Sequence, residues 1–170
     1  YLSYNPFPED YQFPESLGSL PLVELFISGC NLKNLPAFIC KLSKLTTLNC
    51  SSNALSGLPP EIGDLQSLIT ILLTNNNLQS VPSHIGKLTN LQEIDLSFNQ
   101  LSTLPSEFGN LTNLIDLELS HNKFTMLPGE FKLLISLGQL KVAYNKLTQL
   151  PNIKGTNGPP WISYENNDPI

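Results

Sequence analysis

The chain has 170 residues, 41% of them hydrophobic, with a formal net charge of -5 and a pI near 4.9. All nine basic residues are lysine; an acidic chain without arginine lacks the cationic face and the bidentate forks that phosphate backbones require, which argues against nucleic-acid binding. No apolar run approaches the roughly 18 residues of a membrane span, and no leader pattern opens the chain.

Leu2-Ser3-Tyr4-Asn5 reads like Leu96-Ser97-Phe98-Asn99, and Phe13-Pro14, Leu17 and Leu20 match positions that recur downstream. Between Asn5 and Pro14 the chain carries about three residues more than between Asn99 and Pro105, in a stretch with Pro6, Pro8, Glu9 and Asp10. Residues 1–21 are therefore expected to form a partial N-terminal repeat or cap.

From residue 22 a 23-residue template repeats in phase, with starts at 22, 45, 68, 91, 114 and 137. In the copy 91–113 it places Leu91, Ile94, Leu96, Asn99, Leu101, Leu104, Pro105, Phe108 and Leu111. Six matches without insertion make residues 22–151 one solenoid with a continuous core, the last copy cut short. The stretch around Ile94 and Leu96 alternates with period two, so it predicts a short strand with Glu93, Asp95 and Ser97 facing outward. Successive strands then stack as a parallel sheet.

The fixed asparagine stands where the chain leaves the sheet. An amide carries both donors and acceptor, so Asn53, Asn76, Asn99, Asn122 and Asn145 are expected to form a buried hydrogen-bonded ladder. Repeat one has Cys30 in that place, which predicts a break. Leu104-Pro105 sets the start of the return segment, and Ser106 to Gly109 predicts one helical or 3₁₀ turn. Gly63, Gly86 and Gly109 recur at one position, which predicts tight packing on the convex side. After Pro151 the template fails, and Gly155, Gly158, Pro159 and Pro160 break regular structure. Residues 152–170 are expected to be a capping tail, with Trp161, Ile162 and Tyr164 folded over the open end of the core. The fold class is an α/β solenoid: a right-handed superhelix with a concave parallel β-sheet and convex loops or short 3₁₀ or helical turns.

Candidate chemistry is sparse. His84 and His121 fall on different parts of the repeat, and no cysteine or serine is placed to work with either. There is no phosphate-cradling glycine loop and no metal-ligand spacing, so no catalytic residue, cofactor or metal is expected. Cys30, Cys40 and Cys50 form no disulfide framework. Cys30 and Cys50 are offset by three template positions, about 10 Å along a strand, beyond disulfide reach. Three reduced thiols fit a cytoplasmic protein, with an extracellular or cell-surface location as the alternative. The sequons at Asn49 and Asn110 occur at the frequency chance gives in such a chain and do not argue for secretion.

The concave face is the remaining candidate. Its outward columns place Glu93, Asp95, Asp116 and Glu118 on adjacent strands, with Phe26, Leu72 and Lys141 in the central column. Opposed like charges cost free energy that a fold alone does not ask for. Phe98, His121 and Tyr144 line one edge beside them, and such rings are frequent interface anchors. These ten residues are the expected contact set for a protein partner, one with a basic surface.

The return segment Leu58-Pro59-Pro60-Glu61-Ile62-Gly63-Asp64-Leu65 resembles the Ras-group class of leucine-rich repeats, which includes the Ras-suppressor protein, Erbin and Scribble-type scaffolds and the plant intracellular Ras-group proteins. The resemblance implies a non-catalytic intracellular interaction platform, a signalling adaptor or scaffold that uses the concave columns, and supplies no catalytic residue. The rival expectation is the ligand-recognition or targeting part of a larger enzyme or receptor. A third is an extracellular adhesin or bacterial effector.

Overall fold

The computed structural model describes residues 2–8, 11–155 and 158–167. Glu9 and Asp10 of the early insertion lie outside the described residues, as do parts of the two terminal segments delimited above. Among the described residues, seven three-residue strands form one parallel sheet in the order β1-β2-β3-β4-β5-β6-β7. They are β1 (Glu24–Phe26), β2 (Thr47–Asn49), β3 (Thr70–Leu72), β4 (Glu93–Asp95), β5 (Asp116–Glu118), β6 (Gln139–Lys141) and β7 (Trp161–Ser163). Among the described residues there are six 3₁₀ turns, the first, Glu15–Ser19, ahead of β1 and the other five between successive strands from β1 to β6, the last being Gly129–Leu133. The helical part of this solenoid thus consists of 3₁₀ turns among the described residues.

The middle residue of each strand points into the core. Leu25, Leu48, Ile71, Ile94, Leu117 and Leu140 are paired in register from strand to strand and all are buried. Phe108, Phe124 and Phe131 close the core from the return side with no exposed surface. One contiguous apolar cluster runs from Leu25 to Ile153. No single repeat could bury its own apolar face, so this continuity is what stabilises each copy.

The ladder forms as its amide chemistry requires. Asn99 donates through Nδ2 to the carbonyl oxygens of Leu73, Leu96 and Ser97 at 3.0, 3.0 and 3.1 Å. Its Oδ1 accepts the Leu78 N–H at 2.9 Å. Asn76, Asn122 and Asn145 repeat the pattern one step along. Asn53 accepts two backbone N–H groups, from Cys30 and Leu32. Cys30 does not fully break the ladder. Its thiol donates to the carbonyls of Leu2 at 3.2 Å and Ser28 at 3.4 Å, so the donor role persists, and the acceptor role passes to the Cys30 carbonyl, which takes the Phe7 N–H at 3.1 Å.

On the convex side, a Cβ on Gly63 would lie 2.7 Å from the His84 carbonyl oxygen. The turns stack too closely there for any side chain. The equivalent residue of the last turn is Lys132, an exposed residue with no further 3₁₀ turn stacked against it among the described residues.

The tail is where expectation and structure part. Regular structure resumes after Pro151, because β7 pairs with β6 in full register: Gln139 with Trp161, Leu140 with Ile162, Lys141 with Ser163. The spacing is one residue shorter than the template. Asn167 takes the ladder place, accepting the Leu147 N–H at 3.0 Å and donating to the carbonyls of Val142 and Tyr164. Of the three residues expected to fold over the core, only Ile162 packs against it; Trp161 is 60% exposed and Tyr164 50%.

Candidate functional site

Each repeat leaves the sheet through one residue with positive φ, immediately before the ladder position. The column is Gly29, Ser52, Asn75, Phe98, His121 and Tyr144, with φ between 52° and 62°. Left-handed backbone is disfavoured for residues with a Cβ, least so for asparagine and histidine. The first three repeats use glycine, serine and asparagine here. The next three use Phe98, His121 and Tyr144, at a higher conformational cost for the phenylalanine and tyrosine.

Those three rings stack into a continuous column. Phe98 and His121 have centroids 4.0 Å apart with planes at 13°; His121 and Tyr144 are 4.2 Å apart at 10°. Phe98 is 53% exposed and Tyr144 50%. The ring faces are turned toward one another along the column, so the rings offer their edges to solvent.

Beside the column lie the carboxylates. Register pairs Glu93 with Asp116 and Asp95 with Glu118. Asp95 Oδ1 accepts the Ser97 N–H at 2.9 Å and the Ser97 hydroxyl at 2.6 Å. Glu118 Oε1 accepts the Ser120 N–H at 2.8 Å. Asn49 does the same for Ser51 at 3.0 Å. The third strand position therefore caps the turn off the sheet, and Asp95 and Glu118 have a structural role besides their charge. It also holds each carboxylate next to the residue preceding an aromatic ring. Lys141 sits 3.6 Å from Glu118 and 4.0 Å from Asp116, so β6 partly neutralises β5. Among the described residues no lysine forms an ion pair with Glu93 or Asp95 of β4; Glu93 is exposed and takes one long hydrogen bond from Thr70. Phe26 and Leu72 are half-buried on the same face. Between the charged and aromatic columns run small residues, with Ser97 and Ala143 nearly buried.

The expected contact set is thus brought onto one face, and Trp161 of β7, paired with Gln139 of β6, joins it. Trp161 continues the column of Glu93, Asp116 and Gln139. Sequence reasoning placed it over the open end of the core instead, because the template slips by one residue there. Aligning Trp161-Ile162-Ser163 with Gln139-Leu140-Lys141 and Asn167 with Asn145 would have found it.

The histidines lie apart in the fold: His84 in the convex turn Ser83–Lys87, His121 on the aromatic column. Among the described residues, no group of three or more His, Cys, Asp or Glu side chains is placed to hold a metal ion, and no helix is long and apolar enough to cross a membrane. Cys30, Cys40 and Cys50 are all free and buried. Burial, with the Glu61 and Asp64 carboxylates adding to it, pushes the Cys40 thiol up to about 11. Burial also pushes Cys50 far up. Such thiols are poor nucleophiles. Two clefts are lined by return segments instead of the concave face. One of about 300 Å³ contains Phe7, Tyr11 and Phe38; one of about 550 Å³ contains Leu127, Lys132 and Lys154.

A sheet of repeated strands, a buried asparagine ladder and convex 3₁₀ turns define a solenoid fold. The Leucine rich repeat family profile matches residues 43–101, 66–124 and 89–147. The chain belongs to the leucine-rich-repeat family. No curated protein matches it by sequence. Among solved structures it is similar to a leucine-rich-repeat protein of Leptospira interrogans, at 28% identity and TM-score 0.64, over 95% of this chain and 54% of that one. It is also similar to the ectodomain of the Arabidopsis thaliana receptor kinase GASSHO1/SCHENGEN3, solved in complex with Casparian strip integrity factor 2, at 34% identity and TM-score 0.75, over 90% of this chain and 19% of that one. The plant peptide hormone receptor RGFR1, solved in complex with RGF2, is 30% identical with TM-score 0.72, over 81% of this chain and 23% of that one. The chain therefore spans about half of the first structure and under a quarter of the other two.

Proposed function

We propose that this chain is a non-catalytic interaction module that binds a protein or peptide partner on its concave sheet face. The observation that carries this reading is the aromatic column Phe98-His121-Tyr144, exposed at positions whose backbone favours other residues, beside the carboxylates of β4 and β5. Apolar rings supply burial; the carboxylates supply steering toward a basic partner. The contact set comprises Phe26, Leu72, Glu93, Asp95, Phe98, Asp116, Glu118, His121, Lys141 and Tyr144. Residues 22–151 act as the repeat body, with 1–21 and 152–170 as its terminal segments.

Its role is that of an adaptor or scaffold in signalling, and its buried reduced cysteines suit a cytoplasmic setting. A second reading has specific support: two similar structures are receptors solved in complex with their ligands, at 30% identity or more. On that reading the module is the ligand-recognition part of a larger receptor.

The test is affinity capture of partners with the intact chain, followed by titration of Glu93→Lys and Phe98→Asn variants. Both variants should lose the captured partner, while Glu61→Lys on the convex turn should keep it. Retention by the concave variants with loss in Glu61→Lys would move the site to the convex side.

A further inference from the structure

We infer that the concave face selects an extended peptide in which basic and aromatic side chains alternate. The inference rests on the concave-face reading above and specifies its ligand. Three observations carry it.

The first is the orientation of the rings. Because Phe98, His121 and Tyr144 stack at 4.0 and 4.2 Å, their faces are already occupied by one another over most of the column. What they present to a ligand is the ring edge, which carries the positive part of the aromatic quadrupole. A cation gains little there. The face of a ligand aromatic ring gains much, in the edge-to-face arrangement. The wall therefore calls for an aromatic side chain and rejects a basic one.

The second is the position of uncompensated charge. Lys141 answers Asp116 and Glu118, whereas among the described residues no lysine forms an ion pair with Glu93 or Asp95 on β4. A ligand cation is drawn to β4, across the small-residue column from Phe98. The two walls thus ask for opposite chemistries, cationic on one side and aromatic on the other.

The third is the floor. Thr74, Ser97, Ser120 and Ala143 separate the walls, and Ser97 and Ala143 are only 6% exposed. Small, nearly buried residues let a ligand backbone approach. An extended backbone sends successive side chains to opposite sides, with same-side neighbours about 7 Å apart. The ring column, two steps of about 4 Å each, receives one or two of them. Trp161, on the same face at β7, is placed to take a further apolar group.

The experiment compares two synthetic octapeptides of identical composition by isothermal titration against the intact chain. One alternates lysine and tyrosine; the other holds four lysines and four tyrosines in separate blocks. The alternating peptide should bind about tenfold or more tighter, the scale of a lost aromatic anchor. Phe98→Asn and Tyr144→Asn, which suit left-handed backbone and so keep the fold, should erase that preference. Lys141→Met should strengthen binding of the alternating peptide by uncovering a second acidic seat. Equal affinities for the two peptides, or no binding of either, would overturn the inference. Equal affinities abolished by Glu93→Lys would overturn it while leaving the concave reading standing. A tighter alternating peptide that ignores every concave variant would sink both.

Discussion

Gly86 and Glu107 stand so close that nothing fits between them: a Cβ on Gly86 would lie 2.5 Å from the Glu107 carbonyl oxygen. This contact joins the fourth and fifth convex turns. Gly86→Ala should therefore destabilise the fold by about 1–3 kcal/mol through overpacking against backbone. Lys132→Ala, at the equivalent place in the last turn, should change stability by less than about 0.5 kcal/mol. Urea unfolding of the two variants checks the contrast, and equal losses would contradict the stacking account.

Leu117 is fully buried between Ile94 and Leu140 in the central core column. Leu117→Ala should cost roughly 2–5 kcal/mol, combining lost transfer energy with the cavity left behind. Equilibrium denaturation measures this directly. A loss below about 1 kcal/mol would mean that the column does not stabilise the solenoid.

Asn99 satisfies four backbone groups at once, whereas Cys30 satisfies two through a weak donor. Asn99→Ala leaves the Leu78 N–H unpaired and takes one hydrogen bond from each of the Leu73, Leu96 and Ser97 carbonyls, which keep their bonds from Asn76, Asn122 and Asn75, and should cost on the order of 2–3 kcal/mol. Cys30→Ala should cost about 1 kcal/mol, and Cys30→Asn should gain little from its amide oxygen, because the Cys30 carbonyl already accepts the Phe7 N–H. Thermal melts of the three variants would expose the error if the two alanine substitutions proved equivalent.

Cys40 has its folded-state pKa raised to about 11, mainly by burial. The native chain holds that proton more tightly than the unfolded chain does. The corresponding stability is fully present below the ordinary thiol range and is lost as pH rises from about 9 toward 11. Cys50 shifts in the same direction for the same first reason. Melting temperature should fall across that window, and a Cys40→Ala variant should show a shallower fall. At neutral pH a thiol reagent should count no groups quickly in native protein and three after denaturation.

Phe98 and Tyr144 hold positive φ at 52° and 55°. Asparagine tolerates that backbone, so Phe98→Asn trades lost ring stacking against relieved strain, terms of about 1 kcal/mol each. Its melting point should stay close to that of the parent chain while partner binding is lost. A large drop in stability would make the column a structural prop instead of a binding surface.

Most of the fold was legible in the sequence because two of its periods are forced by chemistry. Ile71, Ile94 and Leu117 had to recur every 23 residues to stay in one buried column. Asn76, Asn99 and Asn122 had to recur because only a side chain with donors and acceptor can serve that turn. The placement of Glu93, Asp95, Asp116, Glu118 and Lys141 on one face followed from the alternation of the strands. What was not legible depends on side-chain directions and on phase. That Asp95 and Glu118 cap the following turn, and that Lys141 answers Asp116 and Glu118, are matters of rotamer. That Phe98 and Tyr144 carry left-handed backbone was hinted at only by glycine, serine and asparagine at the equivalent earlier positions. Trp161 and Asn167 escaped because a single missing residue throws a fixed template out of step, although the sheet itself is undisturbed.

That missing residue has a partner at the other end. Asn5 and Cys30 are two residues further apart than the template allows, while Asn145 and Asn167 are one residue closer. At the first place the Leu2 and Tyr4 N–H groups still bond to the Phe26 and Ser28 carbonyls and the Cys30 thiol reaches Leu2; at the second β7 pairs with β6 in register and Asn167 continues the ladder. Changes of length are absorbed entirely by the outer arc. The inner face therefore behaves as a fixed grid onto which side chains can be written one repeat at a time, with the chain's slack stored on its far side. A designer could lengthen, shorten or label the outer arcs of this protein without moving the strand and ladder positions of the inner face.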